Sequence, residues 1–341
     1  MEQITSFVGI DISKQYLDCC LLIQGEKVAL LKGENSVTGI SSILNLLINK
    51  HGLDVATTVF CMEHTGIYNN FLLEVLQEHS CMIWLENPYH IKMSLGLQRG
   101  KSDEIDAWRI AKFAYKNREE VKLWKPEREV FILLCQLNAT RDRLQNTKNA
   151  LLVPLQEQKL FWSEELYAQV SLYSQQVIDA TELQLQNIEK KIEELISNDT
   201  HLNDLFKRIT SVPGLGARTA TQLIIETNEF KSFDNARQLA CYAGVAPFVH
   251  RSGSSVRGRT RVSQKANKKL KTLLHLAVLS FCRTSGKMNV FKAYYQRKVA
   301  QGKDKMSVLN ALRNKMLHTV FALVQKQEFF QNNYDEPLIC S

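Results

Sequence analysis

The sequence predicts an α/β layer at the N-terminus, a long helical middle and a mainly helical, basic C-terminal region. Three observations carry that division. Short β-branched runs alternate with helix-period stretches over residues 1–120, and apolar residues at three-four spacing recur through 121–200. From Asn235 to Lys303 there is no Asp or Glu but fifteen Lys and Arg. The domains expected are therefore 1–120, 121–200 and 201–330, with a loose tail at 331–341.

In the first domain Phe7 to Ile10 is an apolar run that ends on Asp11, and Tyr16 to Ile23 and Lys27 to Leu31 complete a meander of three strands. A helix starts at Ser36 as N-cap, keeps Val37, Ile40, Leu44 and Leu47 on one face, and stops at Gly52. Val55 to Met62 is a strand that ends on Glu63, so a second strand delivers a second carboxylate. Thr65 is expected to cap the next helix, whose apolar positions are Ile67, Phe71, Val75 and Leu76. Cys81 to Leu85 is a strand, and Pro88 opens a loop through Gly96 and Gly100. Ser102 then caps a helix that runs to about Tyr115 and carries Asp103 and Asp106 on one face, with Trp108, Ala111 and Tyr115 as a packing stripe.

Asp11, Glu63, Asp103 and Asp106, from two strand ends and one helix face, can converge on one metal. Carboxylates are the hard ligands that Mg²⁺ prefers, and Mn²⁺ accepts the same set. The alternative is that Asp103 merely favours a helix N-terminus.

The middle is predicted as a helix from Pro126 to about Val153, interrupted by Pro154, and a second from Ser163 to Asn198. Leu166, Val170, Tyr173, Val177, Leu185, Ile188, Ile192 and Leu195 give the second a coiled-coil seam, broken by Thr181. Such a stripe serves as spacer, dimer contact or simple packing.

His201 to Ile209, the hairpin Gly214-Leu215-Gly216 and the helix after it form a helix-hairpin-helix-like element. Its glycines let amide groups face a phosphate. A helix near Asn235 to Tyr242 precedes the loop Arg251-Ser252-Gly253-Ser254-Ser255-Val256-Arg257-Gly258, where hydroxyls stand between arginines that can grip phosphate oxygens. The plain alternative is a flexible Gly-Ser loop on a basic surface. Arg259, Arg261, Lys265, Lys268, Lys269 and Lys271 lead into a helix from Leu270 to Phe281, and helices near Asn289 to Ala300 and Met306 to Gln327 follow. Tyr294, Tyr295 and Arg297 can stack on bases or pack in the core. The partner that answers so long a one-sign segment is nucleic acid.

The net charge of +8 sits mostly in the C-terminal third, and 45% hydrophobic residues exclude a largely disordered chain. The eight cysteines (Cys19, Cys20, Cys61, Cys81, Cys135, Cys241, Cys282, Cys340) form no C-x-x-C, which fits reduced thiols rather than disulfides or zinc. With no basic-then-apolar leader and no run of spanning length, a soluble cytoplasmic protein with no membrane partner is expected.

Six ordered motifs are Gly9-Ile10-Asp11-Ile12-Ser13-Lys14, Glu63-His64-Thr65-Gly66, Asp103-Glu104-Ile105-Asp106-Ala107, Val212-Pro213-Gly214-Leu215-Gly216, Ala236-Arg237-Gln238-Leu239-Ala240 and Ser252-Gly253-Ser254-Ser255-Val256-Arg257-Gly258. Together, over nearly the whole chain, they resemble the DEDD transposases of bridge-RNA-guided insertion sequences, whose relatives include pilin-gene invertases. The resemblance implies a RuvC-like, RNase H-fold first domain in which Asp11, Glu63, Asp103 and Asp106 match the metal-binding acids. It implies Ser252 as nucleophile, selected over Ser254 and Ser255 by the motif alone.

It also implies donor and target DNA, a structured guide RNA, and a homo-oligomer, a dimer assembling to a tetramer, with an active site built across protomers. The setting would be a bacterial or archaeal cytoplasm, at the nucleoid when acting. Arg251 and Arg257 would stabilise the pentacovalent phosphorus, and Arg259, Arg261, Lys265, Lys268, Lys269, Gly214 and Gly216 would contact nucleic acid. His64 and Ala246, where a small residue and Thr are usual, are the departures. Two other activities fit the residues: a metal-dependent nuclease or junction resolvase that uses water, and a non-catalytic nucleic-acid-binding protein.

Overall fold

The computed structural model describes residues 4–94, 103–248, 251–252, 256–257, 261–262, 265–283 and 288–332. The chain divides into two compact units, Met1–Pro126 and Glu127–Ser341.

The first unit is a mixed five-stranded sheet with helices on both faces. Strands β1 (Ser6–Ile12), β2 (Tyr16–Ile23) and β3 (Glu26–Glu34) form the antiparallel meander. Helix α1 (Val37–His51) follows, with Ser36 Oγ accepting from the Gly39 amide and Gly52 closing it at φ 64°. Strand β4 (Thr58–Glu63) lies parallel to β1, and after α2 (Asn70–Glu78) strand β5 (Met82–Glu86) lies parallel to β4. The order across the sheet is β3-β2-β1-β4-β5. Helices α3 (Pro88–Ser94) and α4 (Asp103–Lys116) follow.

One face of the sheet buries Val8, Ile10, Phe60 and Met62 with α1 and α2 residues. The other buries Phe7, Val59, Cys61 and Trp84 with Ile110, Phe113 and Ala114 of α4.

Four sequence expectations are corrected in this unit. Residues 55–57 form a 3-10 turn rather than the start of a strand, because the Asp54 carboxylate accepts from the Ala56 amide. Thr65 makes no cap bond; Asn69 Oδ1 instead accepts from both its amide, at 2.6 Å, and its hydroxyl, at 2.9 Å. The buried face of α2 is Leu72, Val75 and Leu76, whereas Ile67 and Phe71 are exposed. Pro88 opens a helix, since proline's fixed φ suits the first turn. Ser102, Gly96 and Gly100 lie outside the described residues.

The second unit is mostly helical. Helices α5 (Glu129–Phe161) and α6 (Glu164–Asn198) pack side by side, joined only by Trp162 and Ser163, with Lys148 paired to Glu182 along their length. Pro154 sits inside α5 and does not end it: the loss of one amide is tolerated where α6 lies alongside. The seam of α6 buries Ile178, Thr181, Leu185, Ile192 and Ile196, while Leu166, Val170, Tyr173 and Val177 are exposed, so its buried positions all lie from Ile178 onward.

Helices α7 (Thr200–Thr210), α8 (Ala217–Glu226) and α9 (Ala236–Tyr242) come next. The short strands β6 (Pro247–Phe248), β7 (Arg251–Ser252), β8 (Val256–Arg257) and β9 (Arg261–Val262) lead to α10 (Lys268–Arg283), α11 (Val290–Ala300) and α12 (Lys305–Lys326). One core joins these helices, with Leu202, Ile209, Leu223, Leu274, Leu312 and Met316 among its buried members. Buried Glu229 ties its edge, gripping Arg128 and Lys231, and Arg128 also bonds Asp199 at 2.7 Å.

No helix among the described residues is long and apolar enough to cross a membrane.

Candidate active site

In the first unit the carboxylates gather on the α4 side of the sheet. Asp11 is the penultimate residue of β1, and antiparallel register sets it opposite Asp18 of β2. Parallel register pairs Ile10 with Met62, so Glu63 stands one residue further along the neighbouring strand. Strand alternation puts Glu63 on the side of Cys61, which packs towards α4.

The helix reaches this row because β1 carries glycine at its crossing point. A Cβ on Gly9 would meet the Ala111 nitrogen at 2.1 Å and the Ala107 oxygen at 2.3 Å. That contact sets Asp103 and Asp106, in the first turn of α4, against the end of β1. Gly9→Ala is expected to push α4 off the sheet at a cost of about 3 kcal/mol or more, because backbone cannot yield as a side chain can. Chemical denaturation reads this directly, and an unchanged midpoint would show that α4 does not depend on the contact.

The electrostatics follow from this crowding. Burial pushes the Asp11 carboxyl up to about 6, with Asp106, Asp103 and Asp18 adding to it, against one backbone hydrogen bond from Ile12. Asp18, only 4% exposed, is also raised by burial, although Lys32 at 3.6 Å opposes the shift. Asp106 is held by Arg109 at 2.7 Å.

Buried Asn69 fixes the loop that leaves Glu63: its Nδ2 donates to the Glu63 carbonyl at 2.9 Å. Asp18 and Asn69 escaped the sequence reading. Asp18 had a signal, since a tight meander turn at 13–15 makes residues 11 and 18 cross-strand partners.

Among the described residues no three His, Cys, Asp or Glu side chains are drawn together closely enough to chelate an ion as they stand. The donor chemistry nevertheless fits a hard divalent cation. A half-buried carboxylate crowded by three others holds its proton unusually tightly, and a cation relieves that repulsion.

In the second unit the described parts of the hydroxyl segment and its flanks form two antiparallel backbone pairings. Pro247 pairs with Val262 and Phe248 with Arg261; further in, Arg251 pairs with Arg257 and Ser252 with Val256. Of Arg251, Ser252, Arg257 and Arg261 the backbone alone is described, while Gly253, Ser254, Ser255, Gly258 and Arg259 lie outside the described residues.

Lys269 pairs with Asp142, which also has Arg218 at 3.8 Å, so part of its charge is answered within the chain. Lys265 lies just ahead of α10 and Lys268 opens it. The two glycines before α8 differ. Gly214 has φ 86°, and a Cβ there would meet the Ala277 carbonyl at 2.6 Å, so its bareness serves packing on α10. Gly216 is the N-cap of α8 and faces open space.

Comparison with known proteins covers both units. Residues 8–158 match the family model of the DEDD type of IS110, described as "Transposase". Residues 206–296 match "Transposase IS116/IS110/IS902 family". The chain is 27% identical over 336 residues to the pilin gene-inverting protein of Moraxella lacunata, covering 97% of this chain and 99% of that one. It is 23% identical over 347 residues to the transposase for insertion sequence element IS1111A of Coxiella burnetii, covering 95% and 91%. An IS110 element protein of Streptomyces coelicolor is 32% identical over 124 residues, 36% of this chain and 30% of its own.

Proposed function

The chain belongs to the IS110-type DEDD transposases, and from that premise we propose that it cuts and rejoins DNA through an ester between Ser252 and a phosphate, guided by an RNA. The observation that carries this reading is the row of acids: Asp11, Glu63, Asp103 and Asp106 on one side of a mixed sheet, with Asp11 raised to about 6 by burial and its neighbours. The strand order supports an RNase H-like, RuvC-like assignment for this unit.

Two relatives act in ways that converge chemically. One is named for inverting a gene and one for moving an element, and both acts need broken DNA ends to be resealed. An ester to a serine stores the energy of the broken phosphodiester, so resealing needs no ATP. In that step a bond forms between the Ser252 oxygen and phosphorus as the bond to the departing strand breaks. The serine proton leaves, and the departing oxygen takes one up.

Asp11, Glu63, Asp103 and Asp106 would hold Mg²⁺ or Mn²⁺, which supplies polarisation of the phosphate when bound. Arg251 and Arg257, cross-strand partners in backbone register, neutralise the oxygens as the pentacovalent state forms. Arg259, Arg261, Lys265, Lys268 and Lys269 steer the DNA, and the α7–α8 turn acts as a helix-hairpin-helix-like backbone contact through Gly216.

The exposed half of the α6 seam serves as a coiled-coil contact with a second copy, giving a dimer that assembles to a tetramer whose acids and serine come from different protomers. The protein works in the cytoplasm, on the nucleoid.

A cellular assay tests this reading. A plasmid carrying the gene between its native non-coding flanks should yield rejoined DNA, and deleting a flank that encodes a foldable RNA should abolish the product. Recombination undiminished by that deletion removes the guide RNA from the reading. Cut ends that are never resealed and carry no covalently bound protein would replace it with a hydrolytic nuclease.

A further inference from the structure

We propose that the groove between α11 and α12 is a binding site for an unpaired nucleotide of a single-stranded polynucleotide. The inference rests on the nucleic-acid reading above and adds a site to it. The groove is open, encloses about 950 Å³, and among the described residues no acidic side chain lines it.

Its centre is Tyr294, which is partly buried and partly open to the groove. Lys315 Nζ lies 4.5 Å from the ring centroid, the Arg297 guanidinium 5.8 Å and Lys298 Nζ 6.0 Å. Three cations around one ring repel one another; Lys298 also donates to Gln301 at 3.0 Å, whereas Arg297 and Lys315 line the groove and, among the described residues, are in no ion pair. A phosphate is the ligand that answers them.

The remaining wall mixes rings with polar groups: Phe330 stacks on Phe291 with centroids 5.7 Å apart, and Asn314, His318 and Thr319 line the α12 side. Cations at one end and rings at the other match the two halves of a nucleotide, a charged phosphate and a flat base. A concave site of this size takes a nucleotide splayed from its strand. A duplex hides its base faces and presents a convex backbone. Tyr294 is thereby more than a core residue: its ring gathers the cations and offers a surface on which a base can stack.

The test is fluorescence anisotropy on the full chain with oligo(dT), oligo(rU) and a DNA duplex of equal length. Arg297→Gln with Lys315→Gln should weaken both single strands roughly tenfold or more and lower the slope of log affinity against log salt by about 1.4, leaving the duplex within about threefold. Tyr294→Leu should weaken single strands roughly tenfold with the slope unchanged, because a stacking surface and not a charge is lost. Melting temperatures check the fold, and the two exposed cation substitutions carry the test if Tyr294→Leu does not fold.

A loss confined to the uridine or the thymidine strand supports the site and identifies its source as RNA or DNA. Equal weakening of duplex and single strands, or no weakening, overturns the groove while leaving nucleic-acid binding in place. If the unaltered chain binds none of the three probes, the nucleic-acid reading falls with it.

Discussion

Ser252→Ala should reduce recombination by at least about three orders of magnitude while DNA binding stays within about twofold, because the substitution removes only the oxygen proposed to attack. Ser252 lies in β7, paired with Val256, and an alanine in a two-residue strand keeps that backbone pairing. Arg251 and Arg257, the proposed phosphate contacts, remain as cross-strand partners in backbone register. The expected pattern is therefore unaltered binding, no rejoined product and no protein-DNA adduct that survives denaturant.

Ser254→Ala and Ser255→Ala serve as internal controls. Each should retain most of the activity, since the motif assigns attack to the first serine of the segment. An adduct that persists in Ser252→Ala and disappears in Ser254→Ala or Ser255→Ala would move the nucleophile. Cutting that continues unchanged in all three would mean that water attacks.

Strongly periodic segments of the fold are legible in the amino-acid pattern alone. The strand Tyr16–Ile23 is bounded by polar residues and rich in apolar and β-forming ones, so its ends coincide with those expected. Ser36 and Gly52 mark α1 because each supplies what a helix end lacks, an acceptor for a free amide and a residue that adopts positive φ.

What stays hidden depends on contacts that the local sequence does not encode. Pro88 reads equally well as a loop opener or as a first helical residue, and nothing local decides between them. Thr65 is the better cap by type, yet buried Asn69 takes its hydroxyl and amide and holds the Glu63 carbonyl as well.

The strand pairing at Ser252 is invisible to propensity because glycine, serine and arginine make a poor strand signal. At the acid row the strand ends can be read from sequence, whereas Asp18 and the Gly9–α4 crossing belong to register and packing.

Asp11→Asn should abolish recombination and at the same time stabilise the fold above neutral pH, a combination that a purely structural carboxylate would not give. The folded Asp11 carboxyl titrates at about 6, above its ordinary value of 3.8, chiefly through burial and then through Asp106, Asp103 and Asp18. A raised value means the folded state prefers the protonated form. Its benefit is complete below about pH 4 and is lost as pH rises through 6.

At pH 8 the ionised carboxylate therefore weighs against folding, and an uncharged amide of the same size removes that penalty. The gain should be about 2 kcal/mol, less than the whole shift implies because the carboxylate keeps part of its hydration, and it should vanish at pH 4. Urea denaturation at both pH values measures it. Added Mg²⁺ should raise the melting temperature of the unaltered chain at pH 8 and do little for Asp11→Asn, since a cation that binds the folded state stabilises it by mass action.

A variant that is stabilised but inert would mark Asp11 as a residue kept at the expense of stability for its chemistry. Equal destabilisation at both pH values would mean instead that the carboxylate holds β1 and α4 together, and the acid row would lose its central member.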